Sequence, residues 1–291
     1  MLSSRILKPT IAALIGLMSA GAALAVDGVF EINAAAAAAG DVTDGDTPGF
    51  PITLSSPGSY RLTGGLKTGN PDATLIEVTV PDVSLDLNGF TLEGPGLAGS
   101  GVGITSTSSL TVFNGTIRGM GGFGISASAI GNRIENVHFR ANLGGGLAVS
   151  SSSIVRHCAF SNNGNIGLFA GSGNLLIGNT ANDNADRGIE AGSISVIRDN
   201  LAWQNDGDGI FSGSSAVVIG NSAFDNTGDG IATGNVTLVK DNTLRGNDSV
   251  GLDLTPRSGY VGNVITALSS SAVSGGVELG VNFCGLNTTC P

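Results

Sequence analysis

The fold class this sequence predicts is all-β: a single-stranded right-handed parallel β-helix with three short strands per coil of about 21 residues and capped ends. Three observations predict it. First, the glycines of Gly-Ile and Gly-Leu pairs fall at Gly103, Gly124, Gly146, Gly167, Gly188, Gly209, Gly230 and Gly251, in steps of 21 with a single step of 22. Second, asparagine recurs in the same register. One column lies twelve positions after the glycine, at Asn136, Asn179, Asn200, Asn221, Asn242 and Asn263, with Cys158 in one coil. Another lies seventeen after it, at Asn163, Asn184, Asn205, Asn226 and Asn247, with Asn142 one place later in the longer coil. Third, 47 of the 291 residues are glycine, 41% are apolar and only 12% are charged. Short Val/Ile/Leu runs between Gly, Ser and Asn turns suit tightly wound strands and leave no room for a helix inside a repeat.

The strand after each glycine alternates faces, as in Gly209-Ile210-Phe211-Ser212. A Gly/Ser turn and a second apolar run follow, such as Val217-Val218-Ile219, and the asparagine comes next. One coil cannot bury its own apolar face, whereas stacked coils can. Stacking then turns the repeated asparagines into side-chain ladders, and the parallel crossover is expected to be right-handed. Eight or nine coils are expected, in a rod of roughly 40 Å.

Residues 1–25 read as a signal peptide. Arg5 and Lys8 precede the apolar run Ile11 to Met18, and Ala23-Leu24-Ala25 supplies a cleavage site. The expected location is therefore secreted or periplasmic, with no membrane insertion of the mature chain. Residues 26–70 read as a lead-in and N-terminal cap, with a short helix in the Ala-rich stretch Asn33 to Ala39. Residues 71–266 read as the β-helix and 267–291 as a C-terminal cap. Cys284 and Cys290, six residues apart, are expected to form a disulfide that staples the last coil, and Cys158 to be a buried small side chain. Val83 to Phe90 and Leu110 to Ile117 match at an offset of 26, so a loop near Pro95 to Gly101 is expected to project.

Without the signal peptide the chain carries 11 Lys+Arg against 23 Asp+Glu, a net charge of −12. That balance excludes nucleic acid as a partner and repels polyanionic sugars unless a cation bridges them.

Leu85-Asp86-Leu87-Asn88-Gly89-Phe90 is a common entry coil. With the Gly-Ile and Val-x-x-Asn pattern it makes the chain resemble, over about residues 60–265, the bacterial secreted right-handed parallel β-helix repeat proteins of the pectin-lyase-like superfold. That resemblance implies the fold, and an extracellular polysaccharide as the class of ligand. Pectate lyases, polygalacturonases, mannuronan epimerases and phage tailspikes share the superfold. The lyases' Asp cluster with its Arg base, the epimerases' Asp-Pro-His-Asp and the polygalacturonases' paired Asp and Gly-His have no clear match here. If the chain is an enzyme, polysaccharide lyase and glycoside hydrolase are the classes to consider.

Outward positions two after the glycine include Phe169, Glu190 and Phe211 in consecutive coils, an aromatic–carboxylate–aromatic strip able to grip a sugar ring. Trp203 and Phe224 form a second aromatic pair. Arg187, Asp208 and Asp229 precede three successive glycines. Two carboxylates one coil apart suit retaining glycoside hydrolysis or a calcium site, so Asp208, Asp229, Arg187 and Glu190 are the catalytic candidates. Calcium is the one cofactor left open, and no other metal site is expected, since no His/Cys cluster has zinc spacing. His157 beside Cys158 should point to the opposite face, which speaks against a Cys-His dyad. The function expected is binding, and conceivably processing, of a polysaccharide along one sheet face. A non-catalytic adhesin-like surface or matrix scaffold is the alternative. Oligomeric state is not legible.

Overall fold

The computed structural model describes residues 28–266, 271–285 and 290, and shows a parallel β-solenoid. The expected signal peptide lies outside the described residues. One sheet of eleven strands collects the first strand of every coil, from Ile52–Leu54 to Val273–Ser274. The second and third strands together build a 21-stranded sheet. Among the described residues the solenoid thus has eleven coils, more than the eight or nine expected from the sequence, over roughly 50 Å. The two additional coils lie at the ends, with Ile52–Leu54 in the stretch read as the lead-in and Val273–Ser274, level with Leu252, in the stretch read as the C-terminal cap. Ile52 is level with Ile76 and Ile76 with Ile104, steps of 24 and 28 residues. Parallel pairing starts at Val29–Ile32 and runs to Phe283–Cys284, so the ladders extend into both stretches read as caps.

The single helix among the described residues is Ala34–Ala39. Asn33 Oδ1 accepts from the Ala35 and Ala36 N–H groups, and Gly40 ends the helix in left-handed backbone. Ala37 is buried with Ile32 and Val42, so the helix packs against the solenoid's first coil. At the other end Cys284 and Cys290 are disulfide-bonded.

The residue after each register glycine is the core of the first sheet. Ile104, Ile125, Leu147, Leu168, Ile189, Ile210, Ile231 and Leu252 are all 0% exposed, each stabilising by about 1.5–3 kcal/mol. The glycine itself is a steric requirement. A Cβ on Gly188 would lie 2.7 Å from Asn205 Nδ2 and 2.8 Å from the Gly209 carbonyl oxygen. Gly209 meets Asn226, and Gly230 meets Asn247, in the same way. The Gly-Ile register and the asparagine seventeen positions on are therefore one packing unit, in which the asparagine fills the space a side chain would take on the glycine that opens its coil.

Both asparagine columns are buried ladders. In the first, the backbone N–H and Nδ2 of Asn200 both donate to Asn221 Oδ1 at 3.0 Å, and Nδ2 also donates to the Leu176 carbonyl at 3.0 Å. The pattern repeats through Asn179, Asn221, Asn242 and Asn263. It continues to Asn282, whose Nδ2 donates to the Glu278 carboxylate. The second column runs from Asn142 to Asn247 with the same geometry.

Asn136 is a correction. The register sets Glu135 level with Arg156 and His138 level with Ala159, so Val137, not Asn136, is level with Cys158. The extra residue of the longer coil lies earlier, in the turn between Ala127 and Arg133, which shifts the whole second half by one. Asn136 instead sits exposed in left-handed backbone at φ 52°. A third polar column went unread in the sequence. Asn132, Ser153, Asn174 and Ser195 relay side-chain acceptors to successive N–H groups, and Thr237 and Ser258 repeat this past Ala216.

Replacing Asn221 by alanine takes the acceptor from the Asn200 N–H, breaks the amide rung to Asn200 and removes the side-chain donor to the Ile197 carbonyl. We expect a loss of about 3 kcal/mol in urea unfolding, whereas Asn136→Ala costs less than about 0.5 kcal/mol.

Candidate functional site

The outer surface of the eleven-stranded sheet carries one continuous column, in which Ala148, Phe169, Glu190, Phe211, Ala232 and Asp253 lie level in successive coils. Their inward neighbours are the buried Ile/Leu residues, so strand alternation forces these side chains out. Phe169 is 42% exposed, and Glu190 and Phe211 are half-buried.

Arg187 organises the strip. Its Nη1 donates to Glu190 Oε2 at 2.8 Å and its Nε to Asp208 Oδ2 at 3.0 Å. Its guanidinium also lies 4.4 Å above the centre of the Phe211 ring. Partial burial works against the Arg187 charge, but the bonds and charge of Glu190, and then of Asp208, outweigh it and hold the guanidinium above its usual pKa. The second oxygen of Asp208 accepts the Asp229 N–H at 3.0 Å, and Asp229 Oδ1 accepts the Val250 N–H at 2.8 Å. Asp208 and Asp229 thus extend a relay along the turn, like the polar columns elsewhere. The structure joins Arg187, Glu190, Asp208 and Phe211 into one network and ties Asp229 to it through the backbone. Sequence spacing placed these residues near one another, but not the bidentate role of Arg187, because an arginine's reach across coils is not written in its register.

Trp203 and Phe224 are level on the third strand, on another face, with Arg245 stacked over Phe224 at 5.4 Å. The expected loop is exposed at Gly96–Ser100 and tied down at its return, where Gly101 N–H donates to the Pro71 carbonyl and Ser100 N–H to Asp72 Oδ1. Beside it, Pro95 and Gly96 wall a cleft of about 500 Å³ that also contains Glu93, Arg118, Arg140 and Asn162. Arginines, not paired carboxylates, meet there.

Cys158 is buried and His157 exposed, on opposite sides of the backbone. Burial pushes the Cys158 thiol up to about 12. Its N–H donates to Asn179 Oδ1, and its sulfur faces the Ile134 carbonyl at 3.7 Å, where a ladder asparagine would place Nδ2. Among the described residues no group of three or more His, Cys, Asp or Glu could hold a metal ion, and no helix is long and apolar enough to cross a membrane.

Residues 100–265 match the family described as a right handed beta helix region. No curated protein shows significant sequence similarity to the chain. Among solved structures, the chain is similar to the periplasmic alginate epimerase AlgG at 12% identity and a TM-score of 0.60, over 77% of this chain and 67% of that one. It is also similar to the Azotobacter vinelandii mannuronan C-5 epimerase AlgE4 A-module at 14% identity and a TM-score of 0.54, over 81% and 91%.

Two outcomes follow from this geometry. Arg187→Met should cost about 1–2 kcal/mol in urea unfolding, since it strands two half-buried carboxylates. Because the folded thiol of Cys158 holds its proton more tightly than the unfolded one, its contribution is fully present below the ordinary thiol value of 9.0 and declines as pH rises toward about 12. Cys158→Asn should lessen the alkaline loss in a pH series of melting curves, leaving the part due to the buried Tyr60 and Tyr260. It should not unfold the protein, since asparagine completes the ladder.

Proposed function

The chain belongs to the right-handed β-helix family, and on that premise we propose that it binds an extracellular polysaccharide along the outer face of its eleven-stranded sheet. The observation that carries this reading is the Phe169–Glu190–Phe211 strip with Arg187 locked against it. Two aromatic rings two coils apart, roughly 10 Å, offer stacking platforms to successive sugars. Glu190, held in place by Arg187, offers a fixed acceptor for hydroxyl groups between them. Stacked coils make the face flat and long, which suits a linear polymer lying along the axis.

The similar structures support the class of ligand, since both are named as epimerases of alginate or mannuronan. Binding rather than turnover is the reading. Both oxygens of Asp208 are engaged and one oxygen of Glu190 is held by Arg187, so the strip does not offer the two free carboxyl groups that an acid and a base or nucleophile would need. No cofactor is required by this arrangement. An extracellular or periplasmic setting agrees with such a ligand.

Titration calorimetry against alginate, mannuronan and neutral glycans tests the proposal. We expect at least one polymer to bind, Phe169→Ala and Phe211→Ala each to weaken it about tenfold, and EDTA to leave it unchanged. Silence across the panel would remove the reading and leave a non-catalytic scaffold. Loss with EDTA would instead place calcium between the carboxylates.

A further inference from the structure

With 13 basic residues against 23 acidic ones, this chain has little need to place cations side by side. Along most of the solenoid it does not. Arg133 and Arg156 share Glu135, Arg61 faces Asp86, and Arg187 holds two carboxylates. Arg198 and Lys240 each pair with the aspartate next to them and stand two coils apart, with Ile219 between.

The outer column of the third strand breaks this pattern. Lys67, Glu93, Arg118 and Arg140 are level in four successive coils. Glu93 alone serves two cations, accepting from Lys67 Nζ at 3.1 Å and from Arg118 Nη2 at 2.9 Å. Those bonds, that from Arg118 first, hold the Glu93 carboxyl below the usual carboxylate range, so it stays charged. Arg140, directly opposite Arg118, has no carboxylate partner among the described residues. Like charges opposite one another destabilise a sheet unless something neutralises them. Arg118 Nε is in addition buried with no hydrogen-bond partner. Glu93, Arg118 and Arg140 border the cleft of about 500 Å³, a volume in the range of small-ligand sites. Its floor is bare backbone, since a Cβ on Gly94 would lie 2.3 Å from the Gly119 carbonyl oxygen.

We propose that this cleft is an oxyanion site that takes the carboxylate or sulfate of an acidic sugar unit, held by Arg140 and Arg118. Glu93 is a positioning residue that fixes Arg118 from behind. Asn162, on the rim, offers an amide to a neighbouring hydroxyl. Guanidinium groups suit this task because their forked donors match planar or tetrahedral oxyanions. The column continues from Arg140 through Ser161, Asn182, Trp203 and Phe224 to Arg245, so a polymer anchored in the cleft meets aromatic rings and a further cation along the same line. This deepens the glycan reading by adding a charge class and a second face. It also answers the repulsion expected of the acidic surface, because the positive charge is gathered in one place.

The test uses the full chain and four probes: a short uronate oligosaccharide, a sulfated one and a neutral one of equal length, and inorganic sulfate. The proteins are wild type, Arg140→Gln and Phe169→Ala. Arg140 is exposed at a strand end, so Arg140→Gln should keep the wild-type circular dichroism spectrum. We expect the uronate or the sulfated sugar to bind at least tenfold more tightly than the neutral one. Which of them binds identifies the source of the oxyanion. Arg140→Gln should lose about tenfold or more, and Phe169→Ala, while weakening every sugar through the strip, should keep the charged-over-neutral preference. Binding should weaken as ionic strength rises from about 0.01 M to about 1 M, where screening shortens from about 30 Å to 3 Å. Equal binding of charged and neutral sugars, unmoved by Arg140→Gln but weakened by Phe169→Ala, would overturn the cleft and leave the strip standing. Binding of inorganic sulfate without either charged sugar would overturn the sugar assignment. No binding of any probe would overturn both.

Discussion

The close approach of each asparagine of the second ladder to the glycine seventeen positions before it is the constraint on which the rest of the solenoid depends. Asn205 fills the space beside Gly188, and Asn226 that beside Gly209, so neither partner can change alone. The same asparagines satisfy the turn's backbone groups in the interior, where an unpaired N–H or C=O would cost about 1–3 kcal/mol. Steric exclusion and hydrogen bonding thus select the same two residue types at the same two positions. The chain has no freedom to slip, and every outward column is placed as a by-product.

That by-product is what makes a low-charge, aromatic-poor sequence able to present a surface. Phe169, Glu190 and Phe211 are level because Leu168, Ile189 and Ile210 beneath them are level. Arg118 and Arg140 are level for the same reason, with Ile117 and Phe139 as their buried neighbours. A solenoid converts a linear list of variable residues into a two-dimensional array. Adjacent coils therefore share chemistry that is 21 residues apart in sequence.

The fold was legible because its signal is redundant: glycine, isoleucine and asparagine repeat together over eight coils. Where redundancy fails, so does the reading. Asn136 resembles a ladder residue by counting from Gly124, but an insertion in the turn after Ala127 moves Val137 into its place. Counting cannot locate an insertion within a coil, whereas the sheet register can. The Ser/Asn/Thr column through Ser153 and Asn174 escaped because three residue types perform one task there. The first coil escaped because its period stretches to 24 residues, and the last because no Gly-Ile or Gly-Leu pair stands at Val273. The strip was legible as a column but not as a network, since Arg187 reaches across coils to Asp208. The cleft was not legible as a site. Its loop was, but Arg118 and Arg140 lie outside the Gly-Ile positions that drew attention, and only pairing reveals that they are neighbours.

The first asparagine ladder also has a direction. Every rung donates toward the C-terminal end and accepts from the N-terminal side, so the amide dipoles add along the axis instead of cancelling. The last donor, Asn282 Nδ2, meets the carboxylate of Glu278, which places negative charge where the summed dipoles turn positive, as an acidic residue does at the start of a helix. Whole coils can therefore be gained or lost between two rungs without disturbing the polarity of the stack. The last rung among the described residues is different: the amide of Asn282 donates to the Glu278 carboxylate and the Gly280 carbonyl in place of a further asparagine.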